Sequence, residues 1–152
     1  MVRFGTITMS RPHVFNAISA DVLNRLLDVL RALRDDNTVR VVVFRGSGER
    51  AFASGDDINE FVRTSPFDVL AIAARLRAVT DITTSIPNPI TASIAGYCLG
   101  GGFELALVCD IRIAADTAHF GLPEIKLGMQ LAGAGTVRLT KLAGSSSHVC
   151  YR

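Results

Sequence analysis

Val39-Arg40-Val41-Val42-Val43-Phe44 is the segment that most narrows what this chain can become. β-Branched residues suit a pleated surface, and a nearly continuous apolar run leaves little face for water. Gly46 and Gly48 bound it, so it reads as a short buried strand. Helical patterns lie on either side. Ser19 is placed to cap a helix over residues 20–34, with Val22, Leu23, Leu26, Leu27, Leu30 and Leu33 on one face and Asp and Arg opposite. A second amphipathic helix is expected over residues 67–83, stopping before Pro87.

The rest of the chain alternates in the same way. Residues 4–9, 89–95 and 111–115 read as strands, and 103–108 and 136–142 as helices. Residues 51–57, 96–102 and 120–128 read as loops or turns. This alternation argues an α/β class. With 152 residues, 49% of them apolar, the chain is one domain's worth and can bury a core. No fixed-period repeat and no linker divide it.

Charge and composition exclude several functions. Sixteen Lys and Arg stand against 14 acids, and the Arg residues are scattered, so no nucleic-acid partner is expected. Cys98, Cys109 and Cys150 are odd in number and lack CxxC spacing, which suits a reduced compartment. His13, His119 and His148 carry no metal-ligand spacing, and no metal is expected. The N-terminus shows no basic-then-apolar signal. Glu104, Asp110 and Arg112 interrupt the apolar stretch 90–115, so no membrane span is expected, and a cytoplasmic location is the default.

Chemistry concentrates in three places. Gly96-Tyr97-Cys98-Leu99-Gly100-Gly101-Gly102 joins an apolar strand to a helix, and its glycines allow a ligand to approach the backbone. The helix behind it aims free N–H groups and a positive dipole end at that spot, which suits an oxygen gaining negative charge. GxGxxG spacing is absent, and no Gly-Lys-Ser/Thr follows. Close helix–strand packing explains such glycines equally well. Glu104 then stands in an otherwise apolar helix, and Glu124 in the apolar loop Phe120–Ile125. Two carboxylates in apolar surroundings are the raw material of acid/base work, although a first-turn Glu also stabilises a helix dipole. Ala51–Ile58 is a loop of small residues running into a helix start. It can present a further N–H, or simply cap that helix with Asp56 or Asp57.

Taken together these residues resemble the enoyl-CoA hydratase/isomerase, or crotonase, family. Arg11-Pro12 with Asn16-Ala17, the segment 51–58, the segment 94–104 and the segment 120–128 with Pro123-Glu124 match its motifs in order. The resemblance runs from Ile7 to about Gly144. It implies a crotonase-like spiral of β-β-α units, assembled as homo-trimers or pairs of trimers. It implies an acyl-CoA thioester as substrate, with coenzyme A part of that substrate and no separate cofactor. The thioester oxygen would lie between the backbone N–H groups of Asp56 and Gly101. Glu104 would help activate water for attack at Cβ, and Glu124 would exchange the proton at Cα. Ala53, Ser54, Gly55, Ile58, Gly100 and Gly102 would line the substrate and CoA channel.

The activity so implied is enoyl-CoA hydratase. The alternatives are a Δ3-Δ2 enoyl-CoA isomerase using Glu124 alone, or an inactive fragment that serves only in binding. Three departures stand out. Asp56 occupies a position often held by Ala. Leu131-Ala132-Gly133-Ala134-Gly135 replaces a segment close to Pro-Gly-Ala-Gly-Gly. Residues 145–152 form a polar, atypical tail after a core at 1–144, so the family's C-terminal helical region is expected to be missing. One further pattern is Gly96-Tyr97-Cys98-Leu99-Gly100, which fits a nucleophile elbow with Cys98; His119 with Asp110 or Asp116 would be its only nearby partners.

Overall fold

The computed structural model describes residues 3–62 and 65–144; the tail at 145–152, with His148 and Cys150, lies outside them. In chain order the elements are β1 (Phe4–Met9), α1 (Ala20–Asp35), β2 (Val41–Gly46), β3 (Ala51–Ala53), α2 (Ile58–Phe61), α3 (Pro66–Ser85), β4 (Ile90–Ile94), β5 (Tyr97–Leu99), α4 (Gly100–Val108), β6 (Ile111–Ala114), β7 (His119–Gly121) and α5 (Gly135–Ala143). Short 3-10 turns cover Pro12–Val14 and Pro123–Leu127.

Two parallel sheets result. One runs β1-β2-β4-β6 and the other β3-β5-β7. Each pair of consecutive strands sends its first member to the larger sheet and its second to the smaller. A helix then returns the chain to the start of the next pair. The repeat β2-β3-α3, β4-β5-α4, β6-β7 is the spiral of β-β-α units that the resemblance implied. Val42 and Phe44 of the β-branched run are buried in the middle of the larger sheet, as expected for a strand paired on both sides.

The helices cover these sheets with the faces read from sequence. Ser19 caps α1, its Oγ accepting from Val22 N at 3.3 Å, and Leu23, Leu26 and Leu30 are buried beneath it. Ile72, Leu76 and Val79 are the buried apolar residues of α3, joined by Thr80 and Thr83. Every residue of α4 is buried, which explains why it is apolar but for Glu104. None of the described helices is long and apolar enough to cross a membrane.

Three segments differ from the sequence expectation. Residues 51–53 form β3, residues 97–99 form β5, and residues 119–121 form β7. Strands of three residues, some of them small, carry too little alternation to be read as strands. α4 starts at Gly100, three residues before its apolar run, because its glycines are held by packing and not by propensity. β2 also lies two residues later than expected, since Gly46 continues the ladder opposite Met9.

Asn16 ties the first turn together. It sits at φ +56°, a conformation Asn tolerates, and is almost fully buried. Its Nδ2 donates to Ala51 O at 2.7 Å and Ser47 O at 3.1 Å, and its Oδ1 accepts from Arg11 N at 3.0 Å. Asn16→Ala leaves these backbone groups unpaired. It is expected to lower unfolding stability by about 3 kcal/mol in a denaturant titration. A loss below about 0.5 kcal/mol would show that the loop holds without it.

Candidate active site

The site begins with a close approach. A Cβ on Gly102 would stand 2.5 Å from Ala53 O and 2.6 Å from Ala53 Cβ. Only glycine lets α4 settle on β3 at that distance. The contact sets the N-terminus of α4 beside the segment that leaves β3, Ser54-Gly55-Asp56. Gly55 adopts φ +99°, and a Cβ there would lie 3.7 Å from Gly101 N. An Asp57-capped turn follows: Asp57 Oδ1 accepts from Asn59 N at 3.2 Å, and its other oxygen pairs with Arg11 at 2.9 Å. Of the two aspartates, Asp57 is therefore the cap.

Among the described residues, the backbone amides of Asp56 and Gly101 are available here. Ile18 N donates to Gly55 O at 2.8 Å, and Asp57 N donates to Ile18 O at 2.9 Å. Peptide groups alternate in direction along an extended chain, so the N–H of Asp56 faces away from Ile18. Gly101 lies in the first turn of α4, where N–H groups have no intrahelical acceptor and the dipole is positive. This local geometry suits an oxygen acquiring charge.

Three carboxyl groups surround these amides. Glu124 sits in the 3-10 turn after β7 and is buried. Its Oε1 is 2.9 Å from where a Cβ of Gly100 would be, and its Oε2 has no partner among the described residues. Burial pushes its carboxyl up to about 7, against a hydrogen bond within its own residue; the charges of Glu104 and Asp56 add to the rise. Asp56 is raised to about 6, first by burial and then by Glu104 and Glu60, and its Oδ1 also has no partner.

Glu104 is held differently. It occupies the second turn of α4, not the first, so dipole stabilisation does not explain it. Its Oε1 accepts from Gly135 N at 2.7 Å. Burial raises its pKa, while hydrogen bonds from the backbone of Gly133, Gly135 and Ala132 and the charge of Arg77 oppose the rise. Gly133 and Gly135 lie so close that a Cβ on either would meet Glu104 within 3.1 Å. The strained position of this cradle is Ala134, at φ +64°, and not Ala132.

Two cavities meet at Asp56. The smaller, about 50 Å³, is lined by Ser54, Gly55, Ile58, Gly100 and Glu124 among others. The larger, about 370 Å³, is lined mainly by apolar residues of α3 and of the segment 128–132. Phe61 and Met129 border both. Of the residues expected along a CoA channel, Ala53 and Gly102 line neither cavity. They pack against each other and are buried. Glu104 lines neither cavity as well. Sequence reasoning missed Phe61, Arg77 and Met129. No motif marks them, and Arg77 reads simply as part of a polar helix face.

The nucleophile elbow is not formed. Cys98 is fully buried on β5, its thiol is pushed up by burial, and its register partner is Phe120. His119 is exposed and pairs with Tyr97 one position away, so its side chain lies on the opposite face.

The family model for enoyl-CoA hydratase/isomerase matches residues 4–149. The chain belongs to the enoyl-CoA hydratase/isomerase family. It is 35% identical to a crotonyl-CoA hydratase of Syntrophomonas wolfei over 93% of this chain and 55% of that protein. It is 38% identical to the human mitochondrial enoyl-CoA hydratase domain-containing protein 2 over 91% of this chain and 47% of that one. The crystal structure of an enoyl-CoA hydratase from Bacillus anthracis superimposes with a TM-score of 0.89 at 35% identity, covering 91% of this chain and 54% of the other. The fold is that of the crotonases. The chain spans about half the length of the curated relatives it matches.

Two stability effects follow from the geometry. Ala134→Gly removes a left-handed alanine and is expected to raise stability by about 1 kcal/mol, less the entropy glycine adds to the unfolded chain. A lower thermal midpoint would show that Ala134 is not strained. Glu124 has a folded-state pKa above its unfolded value, so ionising it penalises the folded state. That penalty is fully present above about pH 7 and is relieved as pH falls toward the unfolded value near 4.5. Glu124→Gln is therefore expected to stabilise the chain at pH 8 by on the order of 2 kcal/mol, with little gain at pH 4.5. Equal effects at both values would contradict this.

Proposed function

We propose that this chain carries the catalytic centre of an enoyl-CoA hydratase, adding water syn across the double bond of a 2-enoyl-CoA thioester. The observation that carries the reading is Glu124. It is buried, one of its oxygens is unpartnered, and it lines the small cavity beside the N-terminus of α4. Membership of a family with named hydratases supports it.

The thioester oxygen accepts hydrogen bonds from the N–H groups of Asp56 and Gly101. When water attacks Cβ, electron density moves through Cα onto that oxygen, and the two amides hold the resulting enolate. One donor of this kind typically lowers a barrier by about 3 kcal/mol. Glu104 takes a proton from the attacking water, Glu124 delivers a proton to Cα, and the proton on Glu104 passes back to Glu124 through solvent before the next turnover. The sum is one water added, with hydroxyl at Cβ and hydrogen at Cα. Ser54, Gly55, Ile58 and Gly100 border the entry to the reacting carbons. Coenzyme A enters as part of the substrate, and the protein supplies the remaining groups itself. Association into trimers or pairs of trimers belongs to the same proposal; exposed Ile111, Ile113 and Ile125 favour it.

One observation favours a second reading. Glu104 is bound to Gly135 and lines neither cavity, whereas Glu124 is free to act. A Δ3-Δ2 enoyl-CoA isomerase moves a proton with one carboxyl group, and Glu124 alone suffices for it.

The test follows loss of the conjugated-thioester absorbance of a short 2-enoyl-CoA with the 152-residue chain. Glu104→Gln and Glu124→Gln are each expected to lower kcat by about 10²–10⁴-fold. Activity of Glu104→Gln on a 3-enoyl-CoA, with Glu124→Gln inert, would establish the isomerase instead. Hydration needs protonated Glu124, so kcat/KM is expected to fall as pH rises through about 7. A rate that keeps rising past pH 8 would assign the proton donor elsewhere.

A further inference from the structure

Asp56 supplies more than a backbone amide. Asp56 also lines the larger cavity. From the point where a Cβ of Gly101 would stand, Asp56 Oδ1 is 3.1 Å away and Leu76 Cδ2 is 3.2 Å away. Leu76 lines that cavity, as do Val69, Ile72 and Leu131. An oxygen shielded from solvent and lacking a partner therefore sits against a largely apolar wall. Among the described residues Asp56 forms no ion pair, although Arg77 borders the same cavity. The residue as a whole is half-buried, but this one oxygen is cut off from water, and a carboxylate oxygen so stripped and left unpaired is destabilising. The neighbouring Asp57, by contrast, is satisfied twice, by Arg11 and by Asn59 N. An alanine here would carry the same N–H without that cost.

We propose that the Asp56 side chain is a specificity-determining group that selects acyl chains bearing a hydrogen-bond donor, such as a hydroxyl, close to the thioester. This rests on the acyl-CoA reading of the site. The N–H and the carboxyl belong to one residue, so a group held by the side chain lies within a few carbons of the carbonyl held by the backbone. A plain alkyl chain leaves the carboxyl unpaired when it fills the cavity. A hydroxylated chain restores the lost hydrogen bond. Buried polar groups discriminate strongly in this direction, because the wrong ligand strands them. The same carboxyl works against acyl chains with a carboxylate at that position, by like-charge repulsion.

The experiment is a binding titration, independent of turnover, of the full chain with butyryl-CoA and 4-hydroxybutyryl-CoA. The hydroxylated thioester is expected to bind about tenfold more tightly or better. Asp56→Ala is expected to bring the two within about threefold, by weakening the hydroxylated ligand and tightening the alkyl one. Asp56→Asn, which keeps an accepting oxygen, is expected to retain part of the preference; it also guards against a misfolded Ala variant. Equal affinities in the parent, or a preference unchanged in Asp56→Ala, would overturn this inference and leave the acyl-CoA reading standing. Failure of the parent to bind either thioester would overturn both.

Discussion

The contact between Gly102 and Ala53 is the constraint on which the site depends. A helix laid on a strand normally keeps a side chain's width between the two backbones. Here that width is removed, and a Cβ at Gly102 would stand 2.5 Å from a carbonyl oxygen. The approach has two results. It brings the positive end of α4 level with the segment leaving β3, so that amides from two turns of the spiral lie side by side. It also draws α4 into the interior, where α3 and α5 complete its burial and keep the carboxylate of Glu104 out of water.

Electrostatics then works against the fold at the same place. Burial raises Asp56, Glu104 and Glu124 alike, and the charge of Glu104 adds to the rise at both Asp56 and Glu124. Only Glu104 receives a backbone cradle, from the segment 132–135, and that cradle holds Ala134 in a left-handed conformation. Sites that move protons commonly carry such costs, because a group satisfied by its own protein has little affinity left for a reacting molecule. Glu124, with one unpartnered oxygen, is the clearest case among the three.

Much of this was legible in the sequence. The face of α1, its Ser19 cap and the buried run of β2 follow from periodicity and residue type. The α/β alternation followed as well, and the motif order led to the family that the comparisons establish. The second sheet was not legible. Its strands are three residues long, and Ala51-Phe52-Ala53 looks the same in a strand as in a loop. The true start of α4 was hidden because three glycines oppose a helix locally and are overruled by packing. The sequence singled out both glutamates, yet it could not show that Glu104 is tied to Gly135 while Glu124 borders the small cavity with one oxygen unpartnered. That difference arises from contacts between residues more than thirty positions apart. Asp56 was visible as a departure, but its orphaned oxygen was not.

Each turn of the spiral contributes one corner of the site. The turn β2-β3 ends in Asp56, the turn β4-β5 ends in Gly101 and Glu104, and the turn β6-β7 ends in Glu124. The corners are thus successive threads of a screw, and their spacing is its pitch, set by strand pairing within the smaller sheet. Insertions on the outer helices lengthen a thread without altering the pitch. A one-residue slip between β5 and β7 would move Glu124 along the strand direction, across the screw axis, relative to both amides, with the pitch unchanged. Divergence in chemistry on such a scaffold is therefore cheapest by exchanging side chains at the corners and most costly by altering the paired strands behind them.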